Sequence, residues 1–443
     1  MAFNSTLSNK SNICKWCFLS VMVLPTPLFG QSVLKLDEAV SIAMEQNFGI
    51  QISTLEQTID EKGIYKANAG IGPVIDLNSN FRTTGNNVNQ TFLDGREVNR
   101  WGRSINPSAD ISLNLTLYNG GRMRATYQGL KMLGEYGEIE KKLIVQSTLV
   151  EVMVTYFDIV KYKKTLTYLN SIIEYYNERL KITDQRWQVG KGSKLDYLQS
   201  KTDLNAQLSE VTRAKNNLKN AKVVLNGLLN RHPSVDFKVE ESERIPSNYK
   251  LSNLEEQAIN QNRDIVLLQK ALEISYKEEQ EVSSARKPQV FLNGSAGYSY
   301  IDTNTGFLSN SQNLAGIVGL SARWNLFNGR HTKNQVAISR IRTQIIEKQQ
   351  ENLEAQIINE LNLAFNQYQS DKELLEFEQV NKAIAEENLS ISLEKFRLGG
   401  SSILVLSEAQ RAYDTALNRL VNSEYNVKIS ELTILRLSGS LVE

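Results

Sequence analysis

The stretch KFRLGGSSILVL, residues 395–406, separates two long segments that contain neither glycine nor proline. One segment runs from Arg330 to Leu398 and the other from Ser401 to Ser438. Because glycine and proline are the strongest helix breakers, segments of this length without them predict two long helices. The Gly399–Gly400 pair between them predicts a tight reversal of the chain.

An earlier stretch, RWQVGKGSKLDYL at residues 186–198, repeats this event after another segment without glycine or proline, from Glu138 to Val189. A glycine at a helix C-terminus often takes a positive φ, and a serine after such a turn often caps the next helix. We therefore predict a positive φ at Gly190 or Gly192 and at Gly399 or Gly400. The predicted caps of the returning helices are Ser193 and Ser402.

The two halves of the chain share short motifs in the same order. AMEQNFGI at 43–50 matches AINQNRDI at 258–265, and LYNGGR at 117–122 matches LFNGR at 326–330. A unit of this length that occurs twice indicates a duplicated domain, because solenoid repeats are far shorter. The predicted division is a first repeat at 31–230, a linker (an equatorial region) at 231–250 and a second repeat at 251–443.

Each predicted repeat contains a helix, a β-hairpin and a long coiled-coil hairpin. Helices are predicted over 36–70 and 252–286, since each pattern ends just before a proline. Apolar and polar residues then alternate, as in strands with one apolar face. The odd positions from Ile105 to Leu117 are all Ile, Pro, Ala or Leu, and a similar face runs from Leu314 through Trp324 to Leu326. The hairpins are predicted at about 74–118, with a polar tip over 83–100, and at about 289–327, and the helical tips near 190 and 399.

The N-terminal 30 residues are typical of a secretory signal peptide. Lys10 and Lys15 precede a short apolar run, WCFLSVMVL, and cleavage is predicted after Gly30. The run is too short to cross a bilayer as a helix. Both cysteines of the chain, Cys14 and Cys17, lie inside this segment and are removed with it. The sequence therefore predicts an exported protein.

The alternating strands fit a membrane-spanning β-barrel, which needs about 9–11 residues per strand. An ordinary soluble sheet packed on helices is the alternative. Four strands cannot form a closed barrel, and an open edge in lipid leaves backbone groups without partners. Several chains must then share one barrel, with about 8 strands from two copies or about 12 from three. The predicted fold class is mainly α with transmembrane β.

Neither nucleic-acid binding nor catalysis is predicted. The balance of 50 basic and 49 acidic residues produces no global field for nucleic acid or for an anionic membrane surface. His232 and His331 have no partner histidine at metal-ligand spacing. No cysteine nucleophile remains after export. We expect no enzymatic activity, no cofactor and no metal site.

Two pairs of charges differ between the repeats. Lys215 and Lys222 of the first repeat correspond to Glu424 and Glu431 of the second. Opposite charges at equivalent positions favour contacts between unlike copies. We hypothesise that these four residues set the order of the helices around a ring.

The mature chain resembles the TolC-type outer membrane efflux proteins over nearly its whole length. The resemblance rests on the LDEAVSIAMEQN opening, the duplication, the strand pairs ending in LYNGG and LFNG, and the turns QVGKGSKLD and RLGGSSILV. It implies a homotrimer whose 12-stranded β-barrel lies in outer membrane lipid and continues as a twelve-helix periplasmic tunnel. It also implies a passive exit duct for drugs, small molecules or proteins, which a periplasmic adaptor and an inner-membrane pump supply.

The resemblance also implies roles for residues at the two turns. The adaptor-docking motif corresponds to Val189, Gly190, Lys191, Gly192 and Ser193, and to Leu398, Gly399, Gly400, Ser401 and Ser402. The family usually has Leu or Thr where this chain has Lys191 and Gly400, a departure that bears on which adaptor docks. Asp196 and Glu408 correspond to acidic residues that help to close the tunnel. Val405 stands where another Asp is expected, so we expect a gate with fewer charges and weaker block by cations.

A second function class is compatible with the same residues. An exported coiled-coil protein that forms no channel, such as a periplasmic scaffold or an adaptor, would also need long helical hairpins and a signal peptide. Adaptors usually carry one helical hairpin and a compact β domain rather than two matched hairpins with two strand pairs. The channel is therefore the favoured interpretation.

Overall fold

The computed structural model describes residues 33–241, 248–305 and 308–441; the predicted signal peptide and part of the linker lie outside these ranges. The first half contains β1 (Val33–Leu34), α1 (Leu36–Gln46), α2 (Phe48–Gly63), β2 (Pro73–Thr91), β3 (Glu97–Asn119), α3 (Arg122–Gln188) and α4 (Lys194–Leu228). The second contains β4 (Lys238–Val239), α5 (Leu251–Gln261), α6 (Arg263–Ser283), β5 (Gln289–Thr303), β6 (Asn310–Arg323), α7 (His331–Arg397) and α8 (Ile403–Ser438).

The two long helical hairpins predicted from the sequence are confirmed. Helices α3 and α7 each have 67 residues, which corresponds to about 100 Å at 1.5 Å per residue. Helix α3 packs against α4 and α8, and α8 packs in turn against α7. The four helices therefore form a row in which α4 and α7 are the outer members.

Helix α3 begins earlier than the glycine-free segment from Glu138, and this part of the prediction was too short. Gly134 and Gly137 are buried inside the helix, where α2 crosses it. A Cβ atom at Gly134 would lie 2.7 Å from the Cδ1 of Ile64. These glycines allow a close helix crossing instead of ending the helix.

The single helices predicted over 36–70 and 252–286 were wrong, because an asparagine divides each of them. Asn262 Oδ1 accepts hydrogen bonds from the backbone N of Asp264 (3.0 Å) and of Ile265 (3.3 Å), which caps α6. Its Nδ2 donates to the backbone O of Leu437 at the end of α8 (2.9 Å). Asn47 makes the equivalent bonds, capping α2 and donating to the O of Leu228 (2.9 Å) at the end of α4.

One four-stranded sheet has the order β2-β3-β5-β6, and all its neighbours are antiparallel. The register keeps apolar residues opposite one another on one face: Phe81 pairs with Pro107, Ile111 with Ala296 and Leu292 with Leu320. The other face is polar, and there Asn78 Nδ2 donates to the Asp110 carboxylate (3.1 Å). The predicted alternation is therefore confirmed.

The ends of the strands differ from the prediction. The region 83–100 is not a long polar loop, since β2 continues to Thr91 and β3 resumes at Glu97. Polar residues occupy both faces of this extension, so the sequence pattern is that of a loop although the backbone pairs. Strand β6 ends at Arg323, so Trp324 and Leu326 follow the strand instead of belonging to it.

The first part of the predicted linker is packed into the structure. Strand β4 pairs in parallel with β1, and Phe237 and Val239 are buried against α1 and α3. Tyr156 of α3 donates to the backbone O of Leu34 (3.0 Å), which joins this small sheet to the long helix. Among the described residues, one helix, α3, is long and apolar enough to cross a membrane by length and composition alone; its most apolar window has a mean hydropathy of 1.6 and is one third buried.

The charged residues expected to order a ring are mostly used within one chain. Lys222 pairs with Asp236 (2.7 Å), and Glu424 pairs with Lys164 (2.7 Å). Glu431 accepts from Tyr249 Oη (3.1 Å). The structure gives these three residues partners within one chain, and the order of helices around a ring stays a prediction.

Candidate functional site: the two helical turns

The first turn follows the end of α3 and has the geometry of a Schellman motif. The backbone N of Lys191 donates to the O of Arg186 (2.8 Å), and the N of Gly190 donates to the O of Trp187 (3.0 Å). Gly190 has a φ of 73°, a left-handed conformation that strains residues with a Cβ atom. Of the two glycines considered, Gly190 therefore makes the reversal.

The second turn repeats this arrangement after α7. The backbone N of Gly400 donates to the O of Lys395 (2.9 Å), the N of Gly399 donates to the O of Phe396 (3.1 Å), and Gly399 has a φ of 84°. The returning helices are capped as predicted. Ser193 Oγ accepts from the N of Leu195 (3.1 Å) and Ser402 Oγ from the N of Val405 (3.4 Å).

The second glycine of each turn has a different role in the two copies. A Cβ atom at Gly192 would lie 2.8 Å from the Cβ of Arg186, which is closer than such atoms normally approach. At Gly400 the nearest atom would be 3.7 Å away, an ordinary contact. Gly192 is thus needed for packing within its turn, whereas Gly400 leaves space at the surface.

Large apolar side chains are exposed around both turns. Val189, Leu195 and Leu198 are exposed at the first turn, and Leu398, Leu404 and Val405 at the second. Lys191, predicted as a departure from the family motif, is also exposed. The two turns therefore present apolar contact area together with the cation of Lys191, which is suitable for binding another protein.

The two predicted gate acids lie just past the turns. Asp196 is in the first turn of α4, where the partial positive charge of the helix N-terminus stabilises a carboxylate. Glu408 is largely exposed on α8, and its Oε2 lies 3.7 Å from Nη2 of Arg411. Within the described part of one chain, no hydrogen bond or ion pair joins Asp196 to Glu408. A function that needs both acids together must bring in other copies.

A buried arginine that the sequence analysis missed joins three helices above the turns. Arg179 of α3 is only 1% exposed. Its Nη1 donates to Oε1 of Gln410 on α8 (2.7 Å), and its Nη2 forms an ion pair with Asp203 on α4. A buried charge is stabilised only when it is paired and hydrogen-bonded. Arg179 therefore fixes the first helical hairpin against the second.

Two further arginines connect the hairpins closer to the turns. Arg186 of α3 lies 4.5 Å from the ring centre of Phe396 and donates to the backbone O of that residue. Arg397 of α7 reaches Glu178 on α3 (3.1 Å). We call Arg179, Asp203, Gln410, Arg186, Phe396, Arg397 and Glu178 the tip clasp. Arg179 lies three residues beyond Tyr176 on the buried face of α3, which is the signal that the sequence offered.

A groove of about 880 Å³ opens above the clasp, between α4 and α8 with α3 as its floor. Asp414 lines this groove, and burial raises the pKa of its carboxyl group above the ordinary range. Gln207, across the groove on α4, opposes this rise by hydrogen bonding to that group. The groove wall is mostly amide, hydroxyl and charged, so it is suited to water and polar solutes.

The described ranges contain no group of three or more His, Cys, Asp or Glu residues that could hold a metal ion. His232 Nδ1 lies 2.6 Å from Ser234 Oγ. His331 begins α7. His232 therefore lies in a turn, and His331 lies at the start of a helix.

Comparison with known proteins assigns a family. Residues 39–231 and 254–440 match the profile of the family described as outer membrane efflux protein. The chain is 22% identical over 361 residues to the outer membrane protein TolC of Escherichia coli (strain K12), which covers 76% of this chain and 70% of TolC.

Solved structures share the fold. The outer-membrane channel OprN superimposes on this chain with a TM-score of 0.77 at 18% identity. The aligned region covers 91% of this chain and 90% of the OprN chain. The outer membrane protein VceC from Vibrio cholerae superimposes with a TM-score of 0.74 at 15% identity. The aligned region covers 91% of this chain and 96% of the VceC chain. The resemblance inferred from the sequence is therefore confirmed.

The family match spans both halves of the chain, including the sheet, the long helices and both turns. The protein lies in the outer membrane with its helical part in the periplasm. The chain belongs to the outer membrane efflux protein family.

Proposed function

We propose that three copies of this chain form one outer membrane channel. The four-stranded sheet supports this proposal, because it has an exposed apolar face and two edge strands, β2 and β6, each of which lacks a second neighbouring strand among the described residues of one chain. Exposed edges cannot lie in hydrocarbon, because their backbone groups would lack hydrogen-bond partners. Three copies supply a closed barrel of about 12 strands, wide enough for a lumen.

The apolar face of the sheet supports contact with lipid. Leu77, Phe81, Leu314, Val318 and Leu320 are all more than two thirds exposed in one chain. A soluble scaffold would have to cover such a face, whereas a barrel in outer membrane lipid needs it. This contrast disfavours the exported scaffold or adaptor considered from the sequence.

The channel acts as the exit duct of a tripartite efflux pump or of a type I secretion system. Helices about 100 Å long carry the turns far from the sheet, which places them deep in the periplasm. There the exposed residues around Val189 to Ser193 and Leu398 to Ser402 dock on a periplasmic adaptor that serves an inner-membrane pump. Drugs, small molecules or proteins then pass outward through the lumen without a catalytic step.

Asp196 and Glu408 form the periplasmic gate. Three copies bring six carboxylates to the narrow end of the tunnel, where they attract cations and oppose the passage of anions. Because Val405 occupies a position where a further acid would strengthen the site, the gate holds cations weakly.

Conductance in planar lipid bilayers tests both the channel and the gate. The purified protein should form ion-conducting channels that multivalent cations block from the periplasmic side. Asp196→Ala and Glu408→Ala should each reduce this block, and Glu256→Ala, on the exposed face of α5, serves as a control that should not. Absence of any conductance would contradict the channel, whereas an unchanged block in both variants would contradict only the gate.

A further inference from the structure

At the end of the sheet opposite the long helices, β2 and β3 extend beyond β5 and β6 as a two-stranded arm. The pairing of β3 with β5 ends where Ser104 is opposite Thr303, whereas the pairing of β2 with β3 continues to Thr91 and Glu97. Because the helical part of the chain lies in the periplasm, the arm lies on the outer side of the membrane.

The height of the apolar face of the sheet can be counted along β3. The face runs from Leu115 to Ile105, a separation of ten residues, which is about 34 Å along the strand. At a strand tilt of about 40° this is about 26 Å across the membrane, close to the apolar band of about 25 Å on outer membrane barrels. Phe81 and Tyr298 are exposed near the outer limit of this face, where such barrels carry an aromatic girdle. Residues of β3 beyond Ile105 are therefore level with lipid headgroups.

Arg103 and Trp101 continue the outward face directly beyond the apolar band. The register of β2 with β3 runs without interruption from Pro73 to Thr91, so alternate residues keep one face, and Ile105, Arg103 and Trp101 share it. Arg103 lies about 5 Å beyond the band and Trp101 about 10 Å beyond it. Both side chains are exposed. The first two outward-facing side chains of β3 past the band are thus a cation and an indole.

The backbone at Arg103 is held by the turn that follows β5. The backbone N of Asn304 donates to the O of Arg103 (3.2 Å), and its Oδ1 accepts from the N of Arg103 (2.7 Å). The backbone O of Asn304 accepts from Nη2 of Arg100, which lies on the opposite face of β3. Gly102 is buried beneath Thr305, and a Cβ atom at Gly102 would lie 2.5 Å from Oγ1 of Thr305. These contacts fix the base of the arm with Arg103 directed outward.

The guanidinium of Arg103 is available to a ligand. It has neither a hydrogen bond nor an ion pair with any residue in the described ranges. Gly85, its cross-strand neighbour on β2, has no side chain that could cover it. Asp302 of β5 shares the outward face but lies one row nearer the apolar band. By contrast, Arg96 at the end of the arm is neutralised by Asp94 (2.7 Å).

We propose that Arg103 and Trp101 form a binding site for the phosphate headgroup of an outer-leaflet lipid, with one site on each chain. A guanidinium binds phosphate through paired N–H donors, and tryptophan prefers the membrane interface because its ring is apolar and its N–H is polar. A lipid also supplies acyl chains for the apolar rows below Arg103, which a free phosphate ion cannot do. The inference rests on the channel proposed above and adds the class of lipid that its outer surface selects.

Binding of lipid A in detergent tests the site. The purified protein, in uncharged dodecyl maltoside micelles with a chelator of divalent cations, is titrated with diphosphoryl lipid A or with dephosphorylated lipid A. Native mass spectrometry counts the bound lipids. Arg103→Gln should weaken binding of the phosphorylated lipid about fivefold, the effect of one basic residue at an anionic membrane surface, and should leave the dephosphorylated lipid unchanged. Trp101→Ala should weaken both lipids equally, because the ring contacts lipid without a charge.

Arg96→Gln is the matched control, since Arg96 is a basic residue of the same arm whose charge is already paired with Asp94. It should bind both lipids as the parent protein does. The masses of the same complexes give the oligomeric state. A trimer that binds the two lipids equally overturns the headgroup site but leaves the channel. So does a trimer in which Arg103→Gln binds like the parent, or in which Arg96→Gln loses as much affinity. A monomer overturns both.

Discussion

Replacement of Asn262 provides a sharp test of how each repeat is held together near the sheet. This side chain is 2% exposed and makes three hydrogen bonds, two that cap α6 and one to the end of α8. Loss of the cap costs about 1 kcal/mol. The freed carbonyl of Leu437 adds about 1–3 kcal/mol if it stays buried without a donor. Asn262→Ala should therefore lower the free energy of local opening by about 2–4 kcal/mol.

Hydrogen exchange measured by mass spectrometry on the detergent-solubilised protein reports this local opening. Because about 1.4 kcal/mol corresponds to a tenfold change, exchange at Asp264 and Ile265 should be about 30- to 1000-fold faster in Asn262→Ala. Asn262→Asp keeps the accepting oxygen but loses the donor. It should preserve protection at these two amides while exchange at the end of α8, at Gly439 and Ser440, becomes faster.

Asn260→Ala is the matched control, since Asn260 is exposed and donates only within α5, to the O of Glu256 (2.9 Å). In the Asn260→Ala variant, the exchange rates of the amides of Asp264, Ile265, Gly439 and Ser440 should stay within about twofold of those in the parent protein. If exchange in Asn262→Ala matched that of this control, the cap and the bond to Leu437 would not stabilise this region. If Asn262→Asp lost protection at Asp264 and Ile265 as fully as Asn262→Ala does, the accepting oxygen would not be what caps α6.

Three further changes have defined outcomes. Gly192→Ala should lower the melting temperature and destabilise the first turn, because its Cβ meets Arg186, whereas Gly400→Ala should have little effect in the same melting assay. Arg330→Gly should stabilise the protein by about 1 kcal/mol in denaturant unfolding, because Arg330 has a φ of 66° where the other copy has Gly121; a loss of stability would contradict this. Folding raises the pKa of Asp414, so its contribution to stability is present at low pH and is lost as the pH rises through the folded pKa. Asp414→Asn should accordingly be more stable than the parent at neutral pH and lose this advantage in acid, and equal melting curves at both pH values would count against it.

The sequence was most informative where local chemistry determines the backbone. Helix α7 and the part of α3 from Glu138 onward follow from long segments of helix-forming residues, and the reversals follow from Gly190 and Gly399, because few other residues tolerate a positive φ. The caps by Ser193 and Ser402 are equally local. These features depend only on neighbouring residues, so the pattern was sufficient to predict them.

Features that depend on distant residues were missed. Asn47 and Asn262 were noticed as repeated letters, yet their role required the carbonyls of Leu228 and Leu437, which are far away in sequence. Arg179 looks like a surface residue until Asp203 and Gln410 approach from two other helices. Gly134 lies inside a helix because α2 crosses there. In each case, contacts with residues distant in sequence outweighed the local conformational preference of the residue.

Whether three chains share one barrel is tested most directly by the mass and shape of the mature protein extracted from membranes in detergent. Light scattering should give the mass of a trimer. Negative-stain electron microscopy should show particles more than about 100 Å long with a threefold axis, because the helices alone reach that length. A water-soluble monomer or dimer would contradict the claim, since the exposed apolar sheet could then not be a shared membrane barrel.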